Sequence, residues 1–346
     1  MIHGRLPVVK AAPARSALPA PARDIYNTGV ENRVIAILGC TASGKGALAR
    51  ALAREMGGEI VSVDSMKVYR GMDIGTAKPT PAQRAAVPHH LIDVVDPWQS
   101  FSAAQFVALA DQAAAEIHGR GRPVIAVGGT VLYFKCFYEG LFVGPSADPA
   151  LRAEIRARAA REGPGALHAE LARIDREAAA RIHRNDLRRI ERALEVYRLT
   201  GRPISAFQKQ WDRHTLRRPD WNWVLIGLRR QREDAARRIN ERVRRMIAAG
   251  LVEEARRLWG DPRGMSEQAR QAVGYAELFE HFAGRMSLED AIERIKVNSR
   301  RLAKQQRTWL RRLAGVRWID LRPEDEVAAA VDCARRLIAA GQITAG

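Results

Sequence analysis

Short apolar runs alternate along this chain with longer segments of helical periodicity. The apolar runs have the length and composition of buried strands and lie at residues 34–38, 59–64, 123–127 and 221–228. Apolar residues at spacings of three and four predict helices over residues 45–56, 102–117, 233–249 and 287–313. Ser102 and Ser287 are the expected N-caps of the second and fourth helices, and Leu302 is among the residues of the fourth that can face the core. This alternation predicts an α/β fold with a core of parallel strands.

Between about Gly144 and Arg218 the pattern changes, because the strand signals vanish, Leu, Ile and Ala recur at helical spacing and arginines multiply. We therefore predict a helical insertion over residues 144–218, within a catalytic core formed by residues 31–143 and 219–325. Residues 326–346 are expected to form a C-terminal helix and tail. Residues 1–30 are rich in Pro and Ala and show little periodicity, which predicts a disordered extension.

The loop between the first apolar run and the first helix has the pattern of a phosphate-binding loop (P-loop). Glycines let successive backbone N–H groups point inward, and Lys45 can place its ammonium on the outer oxygens of a di- or triphosphate. The pattern is incomplete, because Gly46 stands where a Ser or Thr hydroxyl usually binds Mg²⁺. Phosphate binding is predicted, but metal-assisted nucleotide hydrolysis is not. The predicted phosphate-binding residues are Gly39, Thr41, Ala42, Ser43, Gly44, Lys45 and Gly46.

Two other apolar runs end in residues suited to chemistry. Asp64 closes the second run, and the sequence Gly128-Gly129-Thr130 closes the third. Ligands of open α/β sheets bind at the carboxyl ends of the strands, so both segments are expected near the phosphate loop. From its position alone, Asp64 could be a metal-holding acid or a general base. His89 and His90 point to opposite sides of an extended chain, so we do not expect them to bind one metal together.

The formal charge of +18 favours a polyanionic partner, most simply a nucleic acid. Biased use of Ala and Arg would also raise the charge, so the positions of the basic residues must decide between the two explanations. A stripe of Arg300, Lys304, Arg307 and Arg311 has few carboxylates after Glu293, as expected of a surface that binds a polyanion. Arg188 and Arg192 also share a helix face, but Glu191 and Glu195 could neutralise them, which would make this a solvated, salt-bridged helix.

Composition excludes some other classes. No apolar run is long enough for a membrane-spanning helix, so no membrane association is expected. The three cysteines lie far apart and form no CxxC pair, which argues against a zinc module or a disulfide framework and favours the reducing cytoplasm.

Eight motifs together resemble one family, the tRNA dimethylallyltransferases, also called isopentenyl (IPP) transferases. They follow the family's order and spacing from about Arg33 to Arg312. The motifs are GCTASGK (39–45), DSMKVYRGMDIGTAKP (64–79), HHLIDVVDP (89–97), GGTVLY (128–133), NDLRRIERALEVYRLTGRPIS (185–205), INERVRRM (239–246), VGYAE (273–277) and RRLAKQQRTW (300–309).

The resemblance implies a P-loop core with a mobile helical insertion and an allylic diphosphate in the phosphate loop. It implies transfer of a dimethylallyl group from dimethylallyl diphosphate to N6 of adenosine 37 in tRNAs that read codons beginning with U. The products would be N6-isopentenyladenosine and diphosphate, and the enzyme is expected to be a monomer that recognises the anticodon stem-loop. By position, Asp64 resembles the base, Thr130 the hydroxyl near the reacting centre, and Arg242 a ligand of the diphosphate.

The resemblance also implies tRNA contacts and exposes departures from the family pattern. Cys40, Lys67, Val131 and Gly46 stand where relatives usually carry Pro, Gln, Gly and Ser or Thr. Because Gly46 lacks a hydroxyl, we expect the Mg²⁺ cofactor to be held mainly by the diphosphate, with Asp64 as the one candidate protein ligand. The predicted tRNA-binding residues are Asp64, Ser65, Met66, Lys67, Arg188, Arg189, Arg192, Arg300, Lys304 and Arg307.

Three alternatives remain open from the sequence. A P-loop small-molecule kinase would explain the loop and Asp64, but it would need a hydroxyl at position 46 and has no use for the basic stripe. A non-catalytic RNA-binding protein would explain the charge but not Asp64 and Thr130. An adenylate isopentenyltransferase, which acts on free nucleotide, would not need the tRNA-contacting motifs.

Overall fold

A computed structural model of the chain describes residues 32–141, 144–208, 221–325 and 327–340. The predicted extension over residues 1–30 lies outside these ranges, as do residues 209–218 at the end of the predicted insertion, residues 219–220 at the return to the predicted core and residues 341–346 of the predicted tail.

The described residues form one parallel sheet of six strands in the order β3-β2-β4-β1-β5-β6. The central strand β1 pairs with β4 on one side and with β5 on the other. The strands are β1 (Arg33–Gly39), β2 (Glu59–Val63), β3 (His89–His90), β4 (Val124–Gly128), β5 (Asn222–Arg230) and β6 (Arg317–Leu321).

Helices cover both faces of the sheet, which is why the central strand β1 is apolar from Val34 to Leu38. Alternate residues of β1 enter different cores: Val34, Ala36 and Leu38 pack in one, while Ile35 and Ile37 pack in the other. The helices are α1 (Lys45–Met56), α2 (Pro81–Ala86), α3 (Ala103–Gly119), α4 (Val131–Glu139), α5 (Pro149–Glu162), α6 (Pro164–Ile174), α7 (Arg176–Arg181), α8 (Leu187–Thr200), α9 (Ile204–Phe207), α10 (Arg232–Ala248), α11 (Leu251–Trp259), α12 (Glu267–Arg270), α13 (Tyr275–Phe282), α14 (Leu288–Leu310) and α15 (Val327–Ala340).

Helices α5 to α9 occupy the range predicted for the insertion and have an apolar core of their own. Two buried carboxylates on α8 connect this helix to α5. Glu195 accepts from Arg152 at 2.8 Å, and Glu191 accepts from Arg156 at 2.6 Å. The predicted α/β fold with a parallel core and a helical insertion is confirmed.

One detail of the predicted core is wrong. Leu302 of α14 was expected to face the core, but its side chain is 37% exposed, whereas Ala303 is only 3% exposed. The helix is turned so that Ala303 packs with Cys40 and Ile239, and Leu302 lines the cavity described below. Helical periodicity does not distinguish a core from an apolar cavity wall.

No helix in the described ranges is both long and apolar enough to cross a membrane.

Candidate active site

A cavity of about 360 Å³ opens at the carboxyl ends of β1, β2 and β4, where parallel α/β sheets bind their ligands. Its floor is the phosphate loop, and its walls come from the segment after β2, from α10 and from α14. Of the predicted phosphate-binding residues, 41–46 line the cavity and Gly39 does not. A Cβ at Gly39 would lie 2.6 Å from the Ser43 hydroxyl, so this glycine is needed for packing within the loop.

The loop has the curled backbone that the sequence predicts. Ala42 and Gly44 have φ angles of 62° and 97°, in the left-handed region, and helix α1 begins directly after Gly44. The Lys45 ammonium donates to the carbonyl of Cys40 at 3.1 Å, which holds it across the loop. A phosphate bound here would therefore meet backbone N–H groups, the helix N-terminus and an ammonium together.

Asp64 and Thr130 lie at neighbouring strand ends and are connected through Ser65. One carboxylate oxygen of Asp64 accepts from the backbone N–H of Met66 at 2.9 Å and of Lys67 at 3.2 Å. The Thr130 hydroxyl accepts from the Ser65 N–H at 2.9 Å and donates to the Ser65 hydroxyl at 3.2 Å. These bonds fix the orientation of the carboxylate. Its second oxygen accepts no hydrogen bond from the described residues and is available to a substrate.

The cavity contains a surplus of positive charge. Burial and the nearby charges of Arg242 and Lys67 together lower the pKa of Lys45 to about 8, while Asp64 acts in the opposite direction. Burial likewise lowers the pKa of Lys67 and of Arg242. Three desolvated cations thus face a single carboxylate. An anion such as a diphosphate would relieve this imbalance.

The sequence did not single out Gln306, which positions the site. Its amide oxygen accepts from the Thr41 N–H at 2.8 Å, and its amide nitrogen donates to the Gly129 carbonyl at 2.8 Å. Gln306 therefore ties α14 to the phosphate loop and to the turn before Thr130. A Cβ at Gly129 would lie 2.5 Å from the Gln306 amide nitrogen, so a side chain at this position would displace the amide from its hydrogen bonds.

Glu254, which is 2% exposed, organises the segment after β2 in the same way. Its carboxylate accepts from three successive N–H groups, at residues 73–75, and from the Tyr275 hydroxyl at 2.6 Å. The only signal in the sequence is an acid on the apolar side of an amphipathic helix, which does not identify its partners.

The adjacent histidines point apart, as predicted. His89 bonds through Nδ1 to the Val87 carbonyl at 2.7 Å and lines the cavity, and burial lowers its pKa to about 4. His90 bonds through Nε2 to the buried carboxylate of Glu59 at 2.7 Å. The two rings therefore have separate partners.

The predicted RNA-binding residues fall into three groups. Met66 and Lys67 line the cavity with Asp64, while Ser65 supports Thr130. On α14, Arg300 donates to the Asn240 side chain at 2.6 Å, and no carboxylate of the described residues pairs with it, with Lys304 or with Arg307.

On α8 the arginines differ from one another. Arg188 is exposed, and Arg189 pairs with Asp186 at 3.3 Å. Arg192 is half-buried, pairs with Glu195 at 2.6 Å and donates to the Pro145 carbonyl. The salt-bridged interpretation therefore describes Arg192, whereas Arg188 presents its charge to solvent.

The residues of the cavity do not form a site for a resident Mg²⁺. The described residues contain no cluster of three His, Cys, Asp or Glu side chains that could hold a metal. Gly46 has no side-chain oxygen to offer, and the one carboxylate that lines the cavity, Asp64, uses one oxygen for two backbone N–H groups and faces three cations. Mg²⁺ ligation by oxygen-rich protein groups is therefore not supported here.

Comparison with known proteins agrees with this geometry. The sequence profile of the IPP transferase family matches residues 67–313. The chain belongs to this family. Curated relatives named tRNA dimethylallyltransferase include those of Geobacillus thermodenitrificans, 47% identical over 89% of this chain and 96% of the relative, and Geobacter metallireducens, 48% identical over 84% and 93%.

Solved structures of the family have the same fold. The tRNA isopentenylpyrophosphate transferase of Bacillus halodurans is 41% identical, covers 90% of this chain and 98% of its own, and superimposes with a TM-score of 0.65. A eukaryotic dimethylallyltransferase acting on tRNA is 27% identical, with coverages of 89% and 80% and a TM-score of 0.73. The predicted membership of this family is confirmed, and so is the prediction that the chain is a prenyl-transferring enzyme. The kinase alternative is not favoured.

Proposed function

We propose that this protein transfers the dimethylallyl group of dimethylallyl diphosphate to N6 of adenosine 37 in tRNAs reading codons that begin with U. The observation that carries the proposal is one cavity that holds a cation-rich phosphate loop beside an oriented carboxylate with a free oxygen. The loop suits the diphosphate leaving group, and Asp64 suits a base for an exocyclic amine.

In the reaction, the bond between C1 of the dimethylallyl group and the diphosphate oxygen breaks, and C1 bonds to N6 of the adenine. The departing electron pair stays on the diphosphate, whose charge is stabilised by Lys45, Arg242 and the loop N–H groups. Asp64 accepts the N6 proton. Thr130 and Ser65 hold the Asp64 segment against the turn after β4, so base and leaving group keep a fixed relation.

The basic stripe of α14 supports a tRNA acceptor over a free nucleotide. Gln306 bonds to the phosphate loop from this helix, so Arg300, Lys304 and Arg307 lie within about two turns of the cavity. These cations can hold the phosphates of the anticodon stem-loop, together with the exposed Arg188 of the insertion. Adenosine 37 lies in a single-stranded loop, so turning it into the cavity requires little unpairing.

We further propose that the protein acts as a monomer in the cytoplasm. Mg²⁺ would reach the site bound to the diphosphate, whose charge it would reduce. The three widely separated free cysteines are consistent with a reducing compartment.

The test supplies labelled dimethylallyl diphosphate with one of three acceptors: a tRNA carrying adenosines at positions 36–38, the same tRNA with guanosine at position 37, or AMP. We expect label in the first acceptor only. Label in AMP alone would identify an enzyme of free nucleotide, and phosphate transfer from ATP without prenyl transfer would identify a kinase; either outcome would overturn the proposal.

A further inference from the structure

Lys67 is a cavity cation that the reaction outlined above does not use. We propose that its ammonium is a third protein ligand of the diphosphate, beside Lys45 and Arg242, and replaces the protein-bound metal that Gly46 cannot hold. This inference rests on the proposed function, because it assigns a role within the same diphosphate site.

The position of Lys67 is fixed by its own backbone. Its N–H donates to the Asp64 carboxylate at 3.2 Å, and its side chain lines the same cavity as Lys45 and Arg242. The ammonium has no hydrogen bond or ion pair within the described residues. The nearby Lys78 differs, because its buried ammonium contacts the Tyr69 carbonyl at 2.6 Å, Asp73 at 2.6 Å and Asp93 at 2.5 Å. Lys78 is satisfied by the fold, and Lys67 is not.

The charges around Lys67 are mostly of its own sign. Burial lowers the pKa of Lys67 most, Arg242, Arg50 and Lys78 lower it as well, and Asp64 raises it. Lys67 in turn lowers the pKa of Lys45 and of His89. A half-buried ammonium held among like charges destabilises the free protein. Its presence is explained best by an anionic ligand that Lys67 shares with Lys45 and Arg242 in the cavity.

Gly46 provides the complementary observation. Among the residues that the structure describes, a Cβ placed there would contact within 4 Å only the Arg50 guanidinium, at 3.4 Å, so the space for a hydroxyl side chain exists but is not used. The same cavity thus lacks the usual hydroxyl ligand of the metal and holds an additional protein cation. Both features move neutralisation of the diphosphate from the metal to the protein.

The measurement is calorimetric binding of inorganic pyrophosphate to the full-length protein, first in EDTA and then with saturating Mg²⁺. For the unmodified protein we expect metal-free affinity within about threefold of the Mg²⁺ value. Lys67→Gln should weaken metal-free binding by about 10- to 100-fold, and Mg²⁺ should restore part of the loss. Lys67→Arg, which keeps the charge, should bind as the parent does.

Two further variants sharpen the test. Arg257→Gln removes one exposed positive charge from α11 outside the cavity and should leave pyrophosphate affinity unchanged. Gly46→Thr combined with Lys67→Gln should bind pyrophosphate tightly only with Mg²⁺, because this pair restores a hydroxyl ligand and removes the ammonium. Thermal unfolding establishes that each variant is folded.

The proposal is overturned if the unmodified protein binds pyrophosphate only with Mg²⁺. It is also overturned if Lys67→Gln keeps metal-free pyrophosphate affinity and weakens tRNA binding instead, since Lys67 would then contact RNA. Failure of the proposed function is a separate result. Pyrophosphate binding is measured without tRNA, so the role of Lys67 can be tested even in a protein that does not prenylate tRNA.

Discussion

Binding of a diphosphate should cause the protein to take up a proton, and Lys45 should be its main acceptor. In the free protein, burial and neighbouring cations lower the pKa of Lys45 to about 8. A bound diphosphate places negative charge beside the ammonium and raises that pKa again. Binding is therefore strongest where the free ammonium is already charged, below pH 8, and weakens as the pH rises above 8.

The magnitude follows from the pKa. If the ammonium stays charged in the complex, uptake by Lys45 equals the neutral fraction in the free protein, about 0.1 proton at pH 7, 0.5 at pH 8 and 0.9 at pH 9. The corresponding loss of affinity approaches about tenfold per pH unit above pH 8.

The assay is pyrophosphate calorimetry in pairs of buffers with different ionisation enthalpies, which yields the number of protons taken up. Lys45→Arg is the matched control, because a guanidinium stays charged throughout this range and the protonation of pyrophosphate itself is common to both proteins. The difference between the two proteins should grow from pH 7 to pH 9. A difference that stays near zero at pH 9 would refute the reasoning and show that Lys45 is fully charged in the free cavity.

Three other predictions concern the base, the RNA surface and the scaffold. Asp64→Asn should lower kcat by about 10²- to 10⁴-fold while tRNA affinity changes little, and near-normal turnover would show that Asp64 only positions the substrates. Replacing Arg300, Lys304 and Arg307 of the basic stripe with Ala should reduce the salt dependence of tRNA binding by up to about one phosphate contact per residue and spare pyrophosphate binding. An unchanged salt dependence would mean that these side chains only solvate the helix. Glu254→Gln should cost about 2–3 kcal/mol in urea unfolding, because an amide presents a donor to backbone N–H groups; a loss below about 0.5 kcal/mol would contradict the contacts described.

The sequence predicted the elements that follow local rules. The strand–loop–helix unit at residues 33–56, the Ser102 cap of α3 and the Ser287 cap of α14 are where the pattern places them, because each depends on residues close together in the chain. Asp64 and Thr130 could be placed at one sheet edge because parallel strands end together.

Contacts between distant residues could not be predicted in this way. Gln306 meets Thr41 across 265 positions, and Glu254 meets the segment after β2 across about 180. Leu302 shows a related limit, since an apolar side chain at helical spacing can line a cavity as well as a core. The sequence also left the pairing of Arg192 open. Its partner Glu195 accepts hydrogen bonds from Arg192 of α8 and from Arg152 of α5, and these two helices meet only when the insertion folds.

The central claim is tested most directly by mass spectrometry of tRNA nucleosides from a strain that lacks this gene, complemented with the unmodified protein or with Asp64→Asn. We expect N6-isopentenyladenosine and its derivatives to be absent without the gene, restored by the unmodified protein and not restored by the variant at equal expression. Unchanged amounts of the modified nucleoside in the strain without the gene, or full restoration by Asp64→Asn, would contradict the account.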